Sequence, residues 1–135
     1  MNSKILQEGY GPGAWHGPDL KAAVADVDDA LAFWRPANGR HNIAEIALHH
    51  AFVVRNVRAQ ITGEPAEPFV VEGEDWFDAG ALSWPAVRET LENQYAKLER
   101  LVAGRSDKSD LILGLTCHAV YHAGQIQLIK RLRAD

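Results

Sequence analysis

Histidine is the residue type whose positions in this sequence could support chemistry. The chain contains six histidines, and His118 and His122 stand four residues apart. Residues at this spacing on a helix lie one above the other on the same face, so the two imidazoles could converge on a single ion. Neutral imidazole binds zinc, nickel, copper or iron. The pair indicates a candidate metal site, although the same spacing also fits a solvated helix face or one hydrogen-bonded core histidine.

The pattern around this pair places it on an apolar helix face. Residues in alternating steps of four and three form one seam, which consists of Leu111, Leu115, His118, His122, Gln125, Ile129 and Leu132. His118, His122 and Gln125 therefore occupy positions where the periodicity would place Leu or Ile. Polar groups on a buried face need partners, and one shared ion would serve both histidines.

A site with two protein ligands is weak, and a third ligand is expected from a facing helix. The helical segment from Asn42 to Thr62 offers His49 and His50. Its periodicity puts His50 near the centre of the apolar stripe and His49 toward the flank, so the pattern leaves the choice open with a slight preference for His50. Glu45, one turn before His49, is a candidate proton-transfer group or hydrogen-bond acceptor for a ligand, with an exposed glutamate as the alternative.

Three further residues near the predicted site have open roles. His16 and His41 both precede predicted helices, so each could line the rim of a pocket or serve a surface or capping role. Cys117 is adjacent to His118, but neighbouring helical residues point about 100 degrees apart. We therefore predict that Cys117 is a small buried side chain rather than a ligand.

Four segments have the periodicity of amphipathic helices and would position these residues. They are Lys21 to Trp34, Asn42 to Thr62, Ser83 to Val102 and Ser109 to Arg133, with Pro36, Gly63 and Gly104 marking expected ends. Each apolar face must be covered by a neighbouring helix, so the predicted fold class is all-α, a helical bundle.

The connection between the second and third predicted helices, from Gly63 to Ser83, is unusually long. About twenty residues without regular structure inside a compact domain indicate a functional lid or a crossover. Trp76 and Phe77 would either fix this connection to the bundle or be presented by it. Phe69 to Val71 is the one candidate for a short strand.

Composition narrows the class of protein. A chain of 135 residues with 47% hydrophobic side chains predicts one domain, residues 1–135. The net charge of -4 disfavours nucleic acid or an anionic membrane as a partner, and no apolar stretch is long enough to span a bilayer. The single cysteine excludes an intrachain disulfide and a thiolate-rich zinc site. The N-terminus has no secretory signal pattern, so a cytoplasmic location is expected.

Two separated stretches carry a resemblance to a known family. Ala44 to His49, followed far downstream by His118 to Ile126 with its Tyr-His-Ala-Gly-Gln core, resembles the DinB-like superfamily of metalloenzymes, which includes bacillithiol transferases. Ala14 to Pro18, with its Trp-His-Gly-Pro sequence, and Arg40 to Ile43 resemble one branch of that group. The resemblance implies an up-down-down-up four-helix bundle, often a homodimer.

The resemblance also assigns the site residue by residue. It implies that His49, His118 and His122 hold zinc or nickel, with water at the remaining positions, which resolves the choice on the second helix in favour of His49. The family usually has an aliphatic residue where His50 stands, so a rival ligand or a supporting role for His50 stays open. Gln125 would hydrogen-bond a ligand or a loop, with a structural role as the alternative.

Relatives of this kind include thiol transferases that use bacillithiol or mycothiol and a mycothiol-dependent maleylpyruvate isomerase. The first expectation is therefore a metal-dependent enzyme that transfers a low-molecular-weight thiol to a small electrophile, or that hydrolyses through metal-bound water. Its catalytic candidates are Glu45, His50 and Gln125. The alternative is a non-catalytic metal-binding stress or scaffold protein, which a fourth protein ligand such as His50 or Glu45 would favour. The expected partners are a small-molecule substrate and a second copy of the chain, without nucleic acid or membrane.

Overall fold

A computed structural model describes residues 1–134 of the chain. These residues form six α-helices: α1 Asn2–Gly9, α2 Leu20–Ala25, α3 Asp29–Ala32, α4 Ile43–Thr62, α5 Trp84–Val102 and α6 Ser109–Ala134, with a short 3-10 helix at Ala79–Ala81. The all-α prediction is confirmed. Residues 1–134 contain no strand, so the strand considered at Phe69 to Val71 was wrong. A lone strand would have had no partner strand to satisfy its backbone.

Helix α4 begins and ends at capping residues, and helix α5 begins at one. Asn42 and Glu45 form a capping box at the start of α4, in which each side chain accepts the other residue's backbone N–H at 2.8 Å. Gly63 ends α4 in the left-handed region, with a φ of 75°. Ser83 caps α5 by accepting the backbone N–H of Ala86. These boundaries were predictable because caps are local signals.

The predicted helix from Lys21 to Trp34 was wrong. The structure divides it into α2 and α3, because Asp28 accepts the backbone N–H of Leu31 and so starts a new helix. Aspartate competes for backbone donors in this way and favours caps over helix interiors. Helix α1 was not predicted, and it supplies the first helix of the bundle.

Helix α1 runs parallel to α6. The side chain of Asn2, at the start of α1, donates to the backbone carbonyls of Arg105 and Asp107, just before α6 begins. Gly9, at the end of α1, lies so close to Thr116 that an added Cβ would be 2.9 Å from its carbonyl oxygen. The first and last helices of the bundle therefore point in the same direction.

Helices α4 and α5 both run antiparallel to α6. Early in α4, Ile46 lines the same cavity as Ile129 of α6, whereas the later His50 contacts the earlier His118. Helix α5 leads through a short connection of residues 103–108 into α6, which returns along the bundle. The topology of α1, α4, α5 and α6 is thus up-down-down-up, as the family resemblance implied.

Parallel α4 and α5 explain the long connection between them. Helix α4 has 20 residues and is about 30 Å long, so the chain must travel back along the bundle before α5 starts. Phe77 packs in this crossover against Phe52 and Phe69, with ring centroids 5.0 and 5.1 Å apart. Of the two roles considered for the connection, crossover accounts for its length.

Helix α6 packs against α1, α2 and α4, so its buried face is broader than one seam, although Leu132 at the end of the predicted seam is 50% exposed. Its buried apolar residues are Ile112, Leu115, Ala119, Ala123, Ile126 and Ile129. Cys117 is exposed, which corrects the prediction that it is buried. Within residues 1–134, no helix is long and apolar enough to cross a membrane.

Candidate metal centre

Three histidine side chains from two helices converge at one point. Nε2 of His118 lies 3.3 Å from Nε2 of His49 and 3.1 Å from Nε2 of His122. All three residues offer ligand atoms within 4.8 Å of one another. Two imidazole nitrogens on a tetrahedral ion, each at the usual metal–nitrogen distance, are about 3.3 Å apart. The spacing of these nitrogens therefore fits a transition metal.

The outer nitrogens of two of these rings have fixed partners. Nδ1 of His49 lies 2.8 Å from the backbone carbonyl oxygen of Asp75, and Nδ1 of His122 lies 2.7 Å from Oε1 of Gln125. Both oxygens accept hydrogen bonds, so each Nδ1–H donates and each Nε2 carries a lone pair. Lone pairs that converge repel one another unless a cation or a donated proton lies between them. The rings of His49 and His122 are thus oriented as metal-binding histidines are, and this is the strongest physical argument for a metal at this position.

His50 lies behind the cluster rather than in it. Its Nδ1 is 2.7 Å from Nδ1 of His118, and its Nε2 is 2.5 Å from the hydroxyl oxygen of Tyr95. Both ring nitrogens are therefore engaged away from the point where the three Nε2 atoms meet. His50 is therefore not a member of the three-histidine cluster.

Burial favours the neutral form of His118 and His122. Burial, followed by the charges of His122 and His49, lowers the pKa of His118 to about 4. Burial also lowers the pKa of His122 and holds the pKa of His50 well below its usual value. Neutral imidazole is the form that binds a metal, so these shifts favour binding at neutral pH.

Glu45 has partners of its own at the N-terminus of α4. Its Oε1 accepts from Arg35 at 2.6 Å and from the backbone N–H of Asn42, and His41 is 3.9 Å away. The three-histidine cluster does not include it. The structure therefore places Glu45 in a capping and ion-pair role beside the site.

A cavity of about 670 Å³ opens beside His122. It is lined mainly by apolar groups, together with Arg40, His41 and Gln125, and none of its lining residues is acidic. The other lining residues are Pro36, Ala37, Gly39, Ile46, Trp76, Tyr121, Leu128, Ile129 and Leu132. Gln125 thus touches the cavity and also orients the ring of His122.

The two rim candidates occupy different places. His41 lines the cavity and stacks on Trp76, with ring centroids 3.6 Å apart. His16 is exposed, and its Nε2 lies 2.6 Å from the carbonyl oxygen of Glu8 near the end of α1. His16 is not among the residues that line the cavity.

Three residues that build the site were not assigned to it from the sequence. Trp76 stacks on His49 with ring centroids 4.1 Å apart, and the neighbouring Asp75 supplies the carbonyl that orients the same ring. The third is Tyr95, which is buried and contacts His50 through its hydroxyl. A buried tyrosine hydroxyl usually has a partner, so Tyr95 carried a signal, but the sequence could not say which partner.

Comparison with known proteins gives one match. The family model described as the DinB superfamily matches residues 14–126, a range that includes all three converging histidines. No curated protein and no solved structure matches the chain.

Proposed function

The chain belongs to the DinB superfamily, and from this premise we propose that it is a metal-dependent enzyme that transfers a low-molecular-weight thiol to a small electrophile. The metal part of this proposal rests on the convergence of three Nε2 atoms. Two of these three rings, those of His49 and His122, donate from Nδ1 to oxygen acceptors. Zinc and nickel are the proposed ions, because imidazole is a good ligand for both. A cytoplasmic location fits the proposal, since thiols are kept reduced there.

An open coordination position supports catalysis over a scaffold role. His50 and Glu45, the two residues considered as a fourth ligand, are held by other partners. Three protein ligands with one side toward a cavity is the arrangement of catalytic rather than structural zinc sites. His122 itself borders the cavity, so a substrate there would be next to the ion.

His49, His118 and His122 would hold a divalent ion, which would supply a lowered pKa to a thiol or water at its open side. The chain's own residues bind and orient the reactants. Gln125 fixes the ring of His122, and Trp76 covers one face of His49. Ile46 and Ile129 offer apolar surface to an electrophile, and the absence of lining carboxylates favours an anionic thiolate. The only cysteine does not line the cavity, so the thiol is expected to arrive as a cosubstrate.

A thiol-conjugation assay tests the proposed activity. Untagged protein loaded with zinc or nickel is expected to conjugate at least one member of a panel of low-molecular-weight thiols to a small electrophile. His122→Ala is expected to remove this activity, because it removes the ligand that borders the cavity. His16→Ala should retain it, since His16 lies away from the cavity.

Two outcomes would count against this function. Turnover that a chelator does not reduce would exclude the metal from the reaction. Bound metal without turnover on any thiol, together with hydrolysis of none of the electrophiles, would favour the alternative of a non-catalytic metal-binding scaffold.

A second copy of this chain is the proposed protein partner, docked on the outer face of α6. Leu113 and Leu128 are 53% and 58% exposed there, and Val120 and Tyr121 are exposed between them. The opposite face of α6 is in the core, and a helix that is apolar all round is usually buried. A two-fold dimer would cover this face with the same face of its partner.

Leu113→Glu is expected to convert the dimer to a monomer, because it would bury an unpaired charge of each copy in the interface. Size-exclusion chromatography with light scattering measures the mass. Val70→Glu is the matched control, since Val70 is 54% exposed but lies in the crossover rather than on α6. A monomeric wild-type protein, or equal dissociation by both variants, would refute this interface.

A further inference from the structure

Two polar side chains are buried behind the metal centre and contact one of its three histidines. His50 is 0% exposed and Tyr95 is 1% exposed. Nδ1 of His50 lies against Nδ1 of His118, and Nε2 of His50 lies against the hydroxyl of Tyr95. Neither residue lines the cavity. A chain of three side chains, Tyr95, His50 and His118, therefore runs from the core to the candidate ion.

His118 differs from the other two ligands in the group that its outer nitrogen faces. Nδ1 of His49 and Nδ1 of His122 both face oxygen atoms, which only accept hydrogen bonds. The partner of His118 is an imidazole nitrogen, which can either donate or accept. The tautomer of His118 therefore depends on the tautomer of His50.

Two arrangements of the same protons satisfy this chain. In the first, Tyr95 donates its O–H to Nε2 of His50, Nδ1–H of His50 donates to Nδ1 of His118, and His118 carries its proton on Nε2. In the second, Nδ1–H of His118 donates to His50, and Nε2–H of His50 donates to the Tyr95 oxygen. Only the second arrangement leaves a lone pair on Nε2 of His118. Both contain the same number of protons, so the exchange needs no net gain or loss.

The ion decides which arrangement has the lower energy. Without a cation, Nε2–H of His118 has an acceptor 3.1 Å away in Nε2 of His122, so the first arrangement is fully hydrogen-bonded. The second arrangement would then bring three lone pairs together and leave the buried Tyr95 hydrogen without an acceptor among the described contacts. With a divalent cation in the cluster, the lone pair on His118 becomes a ligand, and the second arrangement is favoured.

We propose that His50 and Tyr95 form a two-state hydrogen-bond chain that sets the tautomer of His118 and reverses direction when a transition metal binds. His50 is a positioning residue in this scheme, since it acts on the ion through His118. The inference rests on the proposed metal site but not on the proposed catalytic activity.

NMR tests the reversal directly. Long-range nitrogen–proton correlation spectra of the isotope-labelled full chain, recorded without metal and with zinc, report which ring nitrogen of each histidine carries the proton. The expected change is from Nδ1–H to Nε2–H at His50, and from Nε2–H to Nδ1–H at His118. A His50 tautomer that zinc leaves unchanged would overturn the proposal while leaving the metal site intact. Failure of the wild-type chain to bind zinc would overturn both, and the two failures are distinguishable.

Zinc affinity of a pair of variants tests the positioning role. His50→Leu removes the partner of His118 and is expected to weaken zinc binding about 10–100-fold. His50→Gln should retain most of the affinity, because its amide can accept from His118 or, after rotation, donate to it. Thermal unfolding of the metal-free variants establishes that both fold. No loss in His50→Leu, or equal losses in the two folded variants, would contradict a positioning role.

Discussion

Replacement of His118 by alanine is expected to weaken binding of zinc or nickel by more than about 100-fold, since even outer partners of a ligand contribute 10–100-fold. His118 lies between the other two histidines, with its Nε2 3.3 Å from that of His49 and 3.1 Å from that of His122. Its loss leaves two ligands on separate helices, which form a weak site. Competition with a chelating dye, on untagged protein, measures the affinity.

The control for this prediction is another histidine beside the same cavity. His41 lines the cavity but does not belong to the three-histidine cluster, so His41→Ala should bind about one ion per chain, as expected for wild type. The increase in melting temperature that zinc gives to the wild type should be absent in His118→Ala, because stabilisation by a ligand depends on its affinity. Unchanged zinc affinity in the folded His118→Ala variant would show that the three-histidine assignment is wrong.

Acid is expected to destabilise the metal-free protein from about pH 6.5 downward. The folded state holds the pKa of His118 at about 4, against 6.5 for an ordinary histidine, chiefly through burial. Between these values the unfolded chain binds more protons than the folded chain, so the free energy of unfolding falls as the pH falls. The stabilisation from neutral His118 is present above pH 6.5 and is lost by about pH 4.

Through His118, the free energy of unfolding is expected to fall by about 1–3 kcal/mol. This is less than the whole pKa shift corresponds to, because the ring is only half-buried and solvent screens its charge. The fully buried His50 adds to it in the same direction. Urea unfolding of the metal-free chain across this pH range measures the effect, and His118→Gln should reduce its slope. A free energy of unfolding that stays constant from neutral pH down to pH 4 would contradict the burial of neutral histidines.

Zinc should make the pH dependence steeper in the same range. Protons and the ion compete for the same Nε2 atoms, so protonation must release the metal as well as charge the rings. Urea unfolding with and without zinc measures this. The difference between the two pH profiles is the part of the pH dependence that comes from metal binding, and the profile without zinc is the part that comes from the histidines alone.

Helix α6 and helix α4 could be predicted because their signals are local. The Asn42 and Glu45 capping box and Gly63 set the ends of α4 through contacts within a few residues. The step of four between His118 and His122 also depends only on helix geometry. The family assignment followed from residues on these same two helices and is confirmed by the family model.

The predictions were wrong where long-range packing, or a competing local signal, determined the structure. Asp28 split the predicted first helix, and α1 owes its place to contacts such as that between Asn2 and the residues before α6. Cys117 lies on the face of α6 that the bundle leaves exposed, and periodicity could not tell that face from a second buried one. The position of α1 and the exposure of Cys117 both depend on which helices pack against each other.

By itself, the sequence determined the helical class, the family and the spacing of the α6 histidines, because periodicity, caps and motif residues act over one or two turns. The family resemblance favoured His49 over His50, but only tertiary structure shows how the two side chains differ, since neighbouring residues on a helix face different surroundings. The antiparallel packing of α4 on α6 brings Nε2 of His49 to the cluster, whereas it engages both nitrogens of His50 with His118 and Tyr95. The crossover then places Asp75 and Trp76 against the site, through contacts that no local pattern encodes.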